Sequence, residues 1–376
     1  MPRPGHDAVL LVTGFPSLYA RTMVHHLLVA EPRALVYAIV PEDRQKRAEA
    51  ERDLLAPEGR ERLVLLSGSP SAIDLGLSGA EFRTLAAEVD RIHHIAHATV
   101  GADPKSARAA NVIATAEVIE LARSAPHLER LVLHSTAHVS GDRTGVVYED
   151  DLSSGQTFRS EVEETRMRAE EIARRAMRDV PISVVRPTTI VGDCDPLEDE
   201  RLDGLYLLVL LIVATPAEIA IPFPGKGDTP LNIVPLDFVV RAAHAIGRTR
   251  SAAGRTFHLT DPHPLAARRV AELVAVASGK RTAKSHIPSN LARALLRTPG
   301  IERFVRSPRA FVEQLTTPVR YDRQNADRIL GPLGITCPPF EGYVGELVSA
   351  VQEHLKQKQK RREAPAPEVE VDDPLS

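Results

Sequence analysis

The chain has no tryptophan, only two cysteines, and aromatic residues amount to 4% of its 376 positions. Each shortage removes a class of answer. Cys194 and Cys337 lie far apart without metal-ligand spacing, so neither a disulfide framework nor a zinc site is expected, and no other metal site is indicated. One charge sign in excess is missing too. The formal charge is -3, with basic and acidic residues interspersed, which gives no electrostatic footprint for nucleic acid. A long hydrophobic run is also missing. The most apolar stretch, Leu205 to Ala214, would span roughly 15 Å as a helix against ~30 Å for a bilayer core. It reads instead as a buried helix, or as one wall of a pocket for an acyl chain or another apolar small-molecule substrate. MPRPGHD leads straight into an apolar strand without a cleavable segment, so a cytoplasmic protein with no transmembrane segment is expected.

What is present is organised around Ala8 to Ala20, AVLLVTGFPSLYA, followed by the helical pattern TMVHHLLVAE. This reads as strand, tight turn and helix, where a dinucleotide pyrophosphate would meet the helix N-terminus. The fingerprint of such a turn is three glycines. Only Gly14 is here; Ser17 and Ala20 replace the other two, and Pro16 stands between them. Serine and alanine are the smallest alternatives, so Thr13, Gly14, Pro16, Ser17 and Leu18 are the residues expected against a cofactor. A second strand, Ala34 to Val40, ends in Pro41-Glu42-Asp43-Arg44. An acidic residue there suits the ribose of NAD and a basic one the phosphate of NADP; both signs occur, and Arg44 is either a phosphate ligand or a solvated charge.

Further strands follow in RLVLLSG (62–68), DRIHHIAHATV and RLVLHSTAHVSG, separated by helical patterns. The helix SARAANVIATAEVIELAR carries Val112, Ala116, Ile119 and Ala122 on one face. Five alternations of strand and helix imply an α/β fold with an open, mostly parallel, doubly wound sheet. Beyond Asp195 the composition shifts. Residues 1–195 with a returning segment near 230–260 are expected to form the sheet domain, and 196–229 with 261–355 a smaller, mainly helical substrate lobe. Lys226, in the loop PFPGKGDTPLN, could meet a phosphate of a CoA-like substrate, although a solvated lysine is the simpler reading. Residues 356–376 read as a disordered charged tail.

The succession Thr13-Gly14, LVLLSGS, IHHIAHATV, Asn111, LHSTAHVSG, VVRPTTIVGD and NIVPLDFVVRAAHAI resembles the extended short-chain dehydrogenase/reductase family. GLSGAEF, HSTAHVSG, PFPGKGDTPLNIVPLD and TFHLTDPHPL are similar to its thioester or fatty acyl reductase branch, the male-sterility-like proteins. The resemblance implies a Rossmann-type NADP- or NAD-binding domain and hydride transfer between a nicotinamide and an acyl or other carbonyl. It further implies a Tyr as general acid/base, a Lys four residues later, and a Ser or Thr that orients the substrate oxygen. Thr136 occupies the Ser/Thr position. Val162 stands where the Tyr belongs and Arg166 where the Lys belongs, and no Tyr occurs between Tyr148 and Tyr206 and no Lys between Lys105 and Lys226. Arg166 could hold the cofactor ribose but cannot donate the proton.

His138, two residues after Thr136, is read as lying on the same strand face and titrating in the useful range, which makes it a substitute candidate. The resemblance also puts Ala96, His97, Pro187 and Thr188 along the nicotinamide, with His93 and His94 beside them; the plainer reading of these histidines is structural packing. Tyr148 is expected at the surface. In dimeric relatives the Glu- and Arg-rich helix SEVEETRMRAEEIARRAM lies between subunits, which makes a homodimer an expectation. Two functions stay open: an NAD(P)-dependent oxidoreductase with a rebuilt proton relay, and a catalytically degenerate relative that binds a nucleotide or acyl ligand as sensor or scaffold.

Overall fold

The computed structural model describes residues 5–98, 101–192, 205–214, 223–224, 227–280, 286–287, 313 and 317–363. Its strands are β1 (Ala8–Thr13), β2 (Ala34–Val40), β3 (Leu63–Ser67), β4 (Arg91–His94), β5 (Arg130–His134), β6 (Gly145–Val147) and β7 (Ile182–Pro187), followed by β8 (Thr189–Val191), β9 (Phe223–Pro224), β10 (Ile233–Pro235), β11 (Arg255–Leu259), β12 (His286–Ile287) and β13 (Val319–Tyr321). The helices are α1 (Leu18–Ala30), α2 (Gln45–Asp53), α3 (Pro57–Glu61), α4 (Gly79–Glu88), α5 (Pro104–Arg108), α6 (Ala114–Ser124), α7 (Glu161–Ala176), α8 (Leu205–Ala214), α9 (Leu236–Arg248), α10 (Ala267–Ala277), α11 (Gln324–Leu330) and α12 (Val344–Glu363).

Seven strands form one parallel sheet in the order β3-β2-β1-β4-β5-β7-β11. Strand order reverses beside β1, so the crevice between the C-terminal ends of β1 and β4 is the switch point where such sheets take ligands. The doubly wound α/β fold expected from the sequence is therefore observed. β1, β2 and the interior of β7 are almost continuously apolar because both faces are covered, whereas β4 (RIHH) carries Arg91, His93 and His94 buried in the sheet. On one face, Val12, Val132, Val185 and Phe257 pack under α1 and α9; on the other, Leu11, Ile92, Leu133 and Val184 pack under α4, α6 and α7. Local signals set the boundaries. Ser17 caps α1, Ser78 and Glu81 form a reciprocal capping box on α4, and Ser160 caps α7.

The later helices form a second core. Leu208, Val209, Leu210 and Ile212 of α8 are buried against α10 and α12 with Val270, Val274, Leu347 and Val351. The Leu205 to Ala214 run is thus a buried helix. No helix among the described residues is long and apolar enough to cross a membrane. α12 runs on to Glu363, into the stretch read as tail, since its Lys, Gln, Glu and Arg residues are good helix formers extending an anchored helix. Cys194 and Lys226 lie outside the described residues.

Two strands end earlier than their sequences suggest. β5 stops at His134, and residues 137–140 form a 3₁₀ turn capped by the Thr136 hydroxyl; β7 stops at Pro187, after which β8 pairs with β10 in a separate two-stranded sheet.

Candidate active site

The turn after β1 keeps one glycine for a definite reason. Gly14 has φ +89°, and a Cβ there would lie 2.9 Å from the Ala96 nitrogen, so only glycine permits the chain to pass this close to the end of β4. Ser17 has φ -58° and spends its side chain on capping α1 through the Ala20 N–H. The family's second glycine is therefore not required by the backbone of this turn. Phe15, Pro16 and Leu18 are buried beneath it.

Thr13 ties the turn to β4. Its hydroxyl oxygen accepts the N–H groups of Ile95 and Ala96, both at 3.1 Å, so its own proton goes to Nδ1 of His94 at 2.8 Å. Nε2 of His94 then carries the hydrogen and donates to Thr115 at 3.2 Å. Burial holds this ring neutral, with its pKa lowered to about 4. His94 is a structural clamp at the switch point. His97 is exposed, and its Nδ1 donates to the Ile95 carbonyl, 2.7 Å away.

Thr136 sits just beyond β5, donating to the Pro187 carbonyl at 3.4 Å and accepting from the His138 N–H at 3.3 Å. Thr136, Pro187 and Thr188 thus share the C-terminal edge of the sheet. Arg166 reaches the same edge from α7, its Nη1 donating to the Ser135 carbonyl at 3.3 Å. Val162 is buried, and its carbonyl faces the Asn111 amide at 3.5 Å. Asn111 lies in a π turn at 109–113, accepts from the Ala98 N–H at 2.9 Å and donates to Thr165 at 2.8 Å. This widened turn is what lets a helical side chain bridge the β4 loop to α7.

His138 requires correction on both counts. It is not on a strand with Thr136 but in the 3₁₀ turn that Thr136 caps. Nor does it titrate near neutrality, because burial and the Arg159 and Arg166 cations push its pKa down to about 3. It stays neutral through the physiological range. Tyr148 is exposed, as expected, and Arg44 is partly buried in a 3₁₀ turn after β2.

Two buried polar networks emerge that sequence reasoning did not assemble. Under α1 and α9, the Tyr19 hydroxyl meets Nδ1 of His134 at 2.6 Å, and Nε2 of His134 meets Nδ1 of His93 at 3.1 Å. Behind Thr136, Glu170 and Arg186 form an ion pair that is 0% and 1% exposed at its side chains, with Arg186 Nη2 2.7 Å from the carboxylate and Ser135 donating to the same carboxylate. Arg186 Nη1 also meets Nε2 of His258 at 3.3 Å, and Nδ1 of His258 donates to the Asp322 carbonyl at 2.7 Å, which fixes a neutral tautomer. Glu149 completes this cluster by accepting backbone N–H bonds from His258, Asn325 and Ala326. Part of the signal was in the sequence: histidines at side-chain parity on neighbouring strands, and Arg186 within an apolar strand; Glu170 was masked by the other charges of its Glu- and Arg-rich helix.

The edge fits a dinucleotide. Nε of Arg166 and Oγ1 of Thr188 and Thr260 are buried without a hydrogen-bond partner among the described residues. Buried polar groups are rarely left so, and a nicotinamide ribose and carboxamide would satisfy donors at this edge. No group of three or more His, Cys, Asp or Glu among the described residues is arranged to hold a metal ion.

Comparison with known proteins agrees with this geometry. The profile of the NAD-binding family described as "Male sterility protein" matches residues 12–243. The chain is similar to the fatty acyl-CoA reductase wat of Drosophila melanogaster, 25% identical over 275 residues that cover 63% of this chain and 53% of that protein. It therefore spans about half the length of that relative. Among solved structures it resembles the terminal R domain of the myxalamid PKS-NRPS pathway, with TM-score 0.74, 22% identity and coverage of 98% and 94% of the two chains. It also resembles the UDP-glucuronic acid 4-epimerase of Bacillus cereus in complex with NAD, with TM-score 0.66, 16% identity and coverage of 94% and 98%.

Proposed function

Because the chain belongs to the male sterility protein family, a branch of the extended short-chain dehydrogenases/reductases, we propose that it is a nicotinamide-dependent reductase of acyl thioesters. The observation that carries the reading is the gathering of Thr136 and Arg166 at the C-terminal edge of the sheet, with buried polar atoms of Arg166 and Thr188 unpaired among the described residues. In this reading the Gly14 turn and the N-terminus of α1 hold the pyrophosphate, where backbone N–H groups and the helix dipole favour anions. Arg166 holds the nicotinamide ribose, and Arg44 meets an adenosine 2'-phosphate. The coenzyme supplies the hydride. Thr136 positions the acyl oxygen, and Pro187 with Thr188 shapes the nicotinamide pocket. A fatty acyl chain is the substrate class suggested by the insect relative, and α8 offers an apolar element for it.

Incubation of the purified protein with NADPH or NADH and acyl-CoA thioesters of graded length, followed by mass spectrometry of aldehyde and alcohol products, tests the reading. Product is expected with one coenzyme, and Thr136→Ala is expected to lower turnover about 100-fold with coenzyme affinity retained. Saturable coenzyme binding with no product from any thioester or aldehyde would overturn it in favour of a ligand-binding relative.

A further inference from the structure

Thr136 can orient a substrate oxygen only if its hydroxyl is held in place, and the hydroxyl's own bonds, 3.4 Å to the Pro187 carbonyl and 3.3 Å from the His138 N–H, are long ones. Its position therefore depends on the turn 137–140 that it caps. Nearby residues fasten that turn on one side. Gln156 donates its Nε2 to the Val139 carbonyl at 2.9 Å, and Gly141, with φ +59°, lets the chain pass where a Cβ would stand 2.2 Å from the Thr157 carbonyl oxygen. On the other side the turn is held by a residue from far along the chain. The hydroxyl of Ser140, a residue 4% exposed, meets the Tyr321 hydroxyl at 3.1 Å across 181 positions.

Tyr321 closes β13, which lies parallel to β6 with Tyr321 paired to Val147, and the next residue, Asp322, donates its N–H to the Val147 carbonyl at 2.9 Å. The Tyr321 ring stands edge-on to His258, with centroids 5.2 Å apart. His258 faces Arg186, whose partner Glu170 accepts the Ser135 hydroxyl. Tyr321 thus grips the chain directly at Ser140, after Thr136, and borders the network that grips it at Ser135, before Thr136. We propose that Tyr321 is a positioning residue of the reduction: through Ser140 its hydroxyl fixes the turn whose capping residue, Thr136, orients the substrate oxygen. The inference rests on the reductase reading above.

In this role Tyr321 touches no substrate and moves no proton. Burial raises its pKa above the ordinary phenol value, against the pull of the Ser140 bond, so the hydroxyl keeps its hydrogen and stays a partner for Ser140 at working pH. A misplacement of about an ångström in a group that meets the reacting atoms can cost on the order of 100-fold in rate. Losing the Tyr321 link alone leaves Gln156 and Gly141 in place, so a smaller loss follows, about tenfold. The last strand of the main sheet ends at Leu259, so the residue that steadies Thr136 belongs to the chain that follows the sheet. Phenylalanine at 321 keeps the ring against His258 and the pairing of β13 with β6, since neither uses the hydroxyl.

The test uses the full chain in Tyr321→Phe, Ser140→Ala and the double variant, with Tyr37→Phe, whose hydroxyl bonds Glu88 of α4, as control. With NADPH and an acyl-CoA thioester, each single variant should lose about tenfold in kcat with both KM values within twofold of wild type. The double variant should be no slower than the singles, because the two changes remove one link. The second readout needs no coenzyme. In D₂O, followed by mass spectrometry, the backbone amides of 136–141 should exchange at least threefold faster in both single variants and at the wild-type rate in the control. A tyrosine that only anchors β13 would instead loosen the amides of 319–323 and leave the turn as it was. Turnover within threefold of wild type in both single variants, losses that multiply in the double variant, or slowed turnover with unchanged exchange in the turn would each overturn the positioning role and leave the reductase reading standing. If wild type makes no product, the reductase reading falls and takes the kinetic role with it, and unchanged exchange in the turn would then overturn the hold on Thr136 as well.

Discussion

The two buried networks at this edge are built on opposite plans. The Glu170–Arg186–His258 cluster is charged, and its carboxylate is met by Arg186 and Ser135. It fastens β7, α7 and the segment 322–326 together, with Glu149 holding three backbone N–H groups of that closure. The Tyr19–His134–His93 line is uncharged and stops at an unpaired nitrogen. A closed, charge-compensated network stabilises a fold; an open-ended neutral one leaves a polar atom unsatisfied. The stability of this protein should therefore respond more strongly to the first network than to the second.

The largest effect should come from breaking the closed network. Glu170→Gln leaves the Arg186 guanidinium buried without its counter-charge, and a loss of roughly 3–5 kcal/mol is expected in urea unfolding. A loss below about 1 kcal/mol would erase the contrast. Next comes pH. Burial raises the Glu149 carboxyl from 4.5 to about 7, against the pull of its three backbone donors. Between those two values the folded chain holds a proton on Glu149 that the unfolded chain has released, so this group's own contribution to stability should fall as pH rises through the window, by about 3 kcal/mol at most, and level off above it. Glu149→Gln should remove that contribution, so the stability difference between wild type and variant should shrink as pH rises from 4.5 to about 7. His93 and His138, both lowered to about 3, act in the opposite direction: up to the ordinary imidazole value near 6.5 the unfolded chain binds protons that the folded chain does not, so each adds stability as pH rises, and the Glu149 contribution is read from the difference between wild type and Glu149→Gln.

Tyr19→Phe should be gentler on stability, about 1–3 kcal/mol in urea unfolding for one buried hydrogen bond whose histidine partner is left unpaired. The smallest effect sharpens the account of the turn. Ser17→Gly removes the α1 cap at a penalty of a few tenths of a kcal/mol and should tighten coenzyme binding, because it clears atoms from the pyrophosphate approach. Calorimetric titration of both forms reads the difference; weaker binding in the variant would show that the serine hydroxyl is itself a ligand.

The doubly wound sheet was legible because strands such as β1 and β2 are apolar throughout, strands and helices alternate, and the family motifs lined up in order. Thr136, Arg166 and Val162 were picked out through the family resemblance, as the occupants of its Ser/Thr, Lys and Tyr positions. His138 could not, since nothing in HSTAHVSG announces that the strand stops at His134 and turns into a 3₁₀ segment. Its pKa was equally hidden, being set by Arg159 and Arg166 from elsewhere in the chain. Tyr19 drew no notice in the sequence, standing among the apolar residues at the start of α1. Its place in the network depends on His134, a contact across 115 residues that only the folded chain creates.

The central claim is that this edge still takes a nicotinamide coenzyme with one glycine in its turn. The chain has no tryptophan, so NADPH fluorescence can be followed without indole background. Titrating NADPH into the folded protein should give a saturable rise in fluorescence at micromolar concentrations, followed by decay when an acyl-CoA thioester is added. No saturable change up to millimolar NADPH or NADH, in protein that still melts cooperatively, would contradict the account.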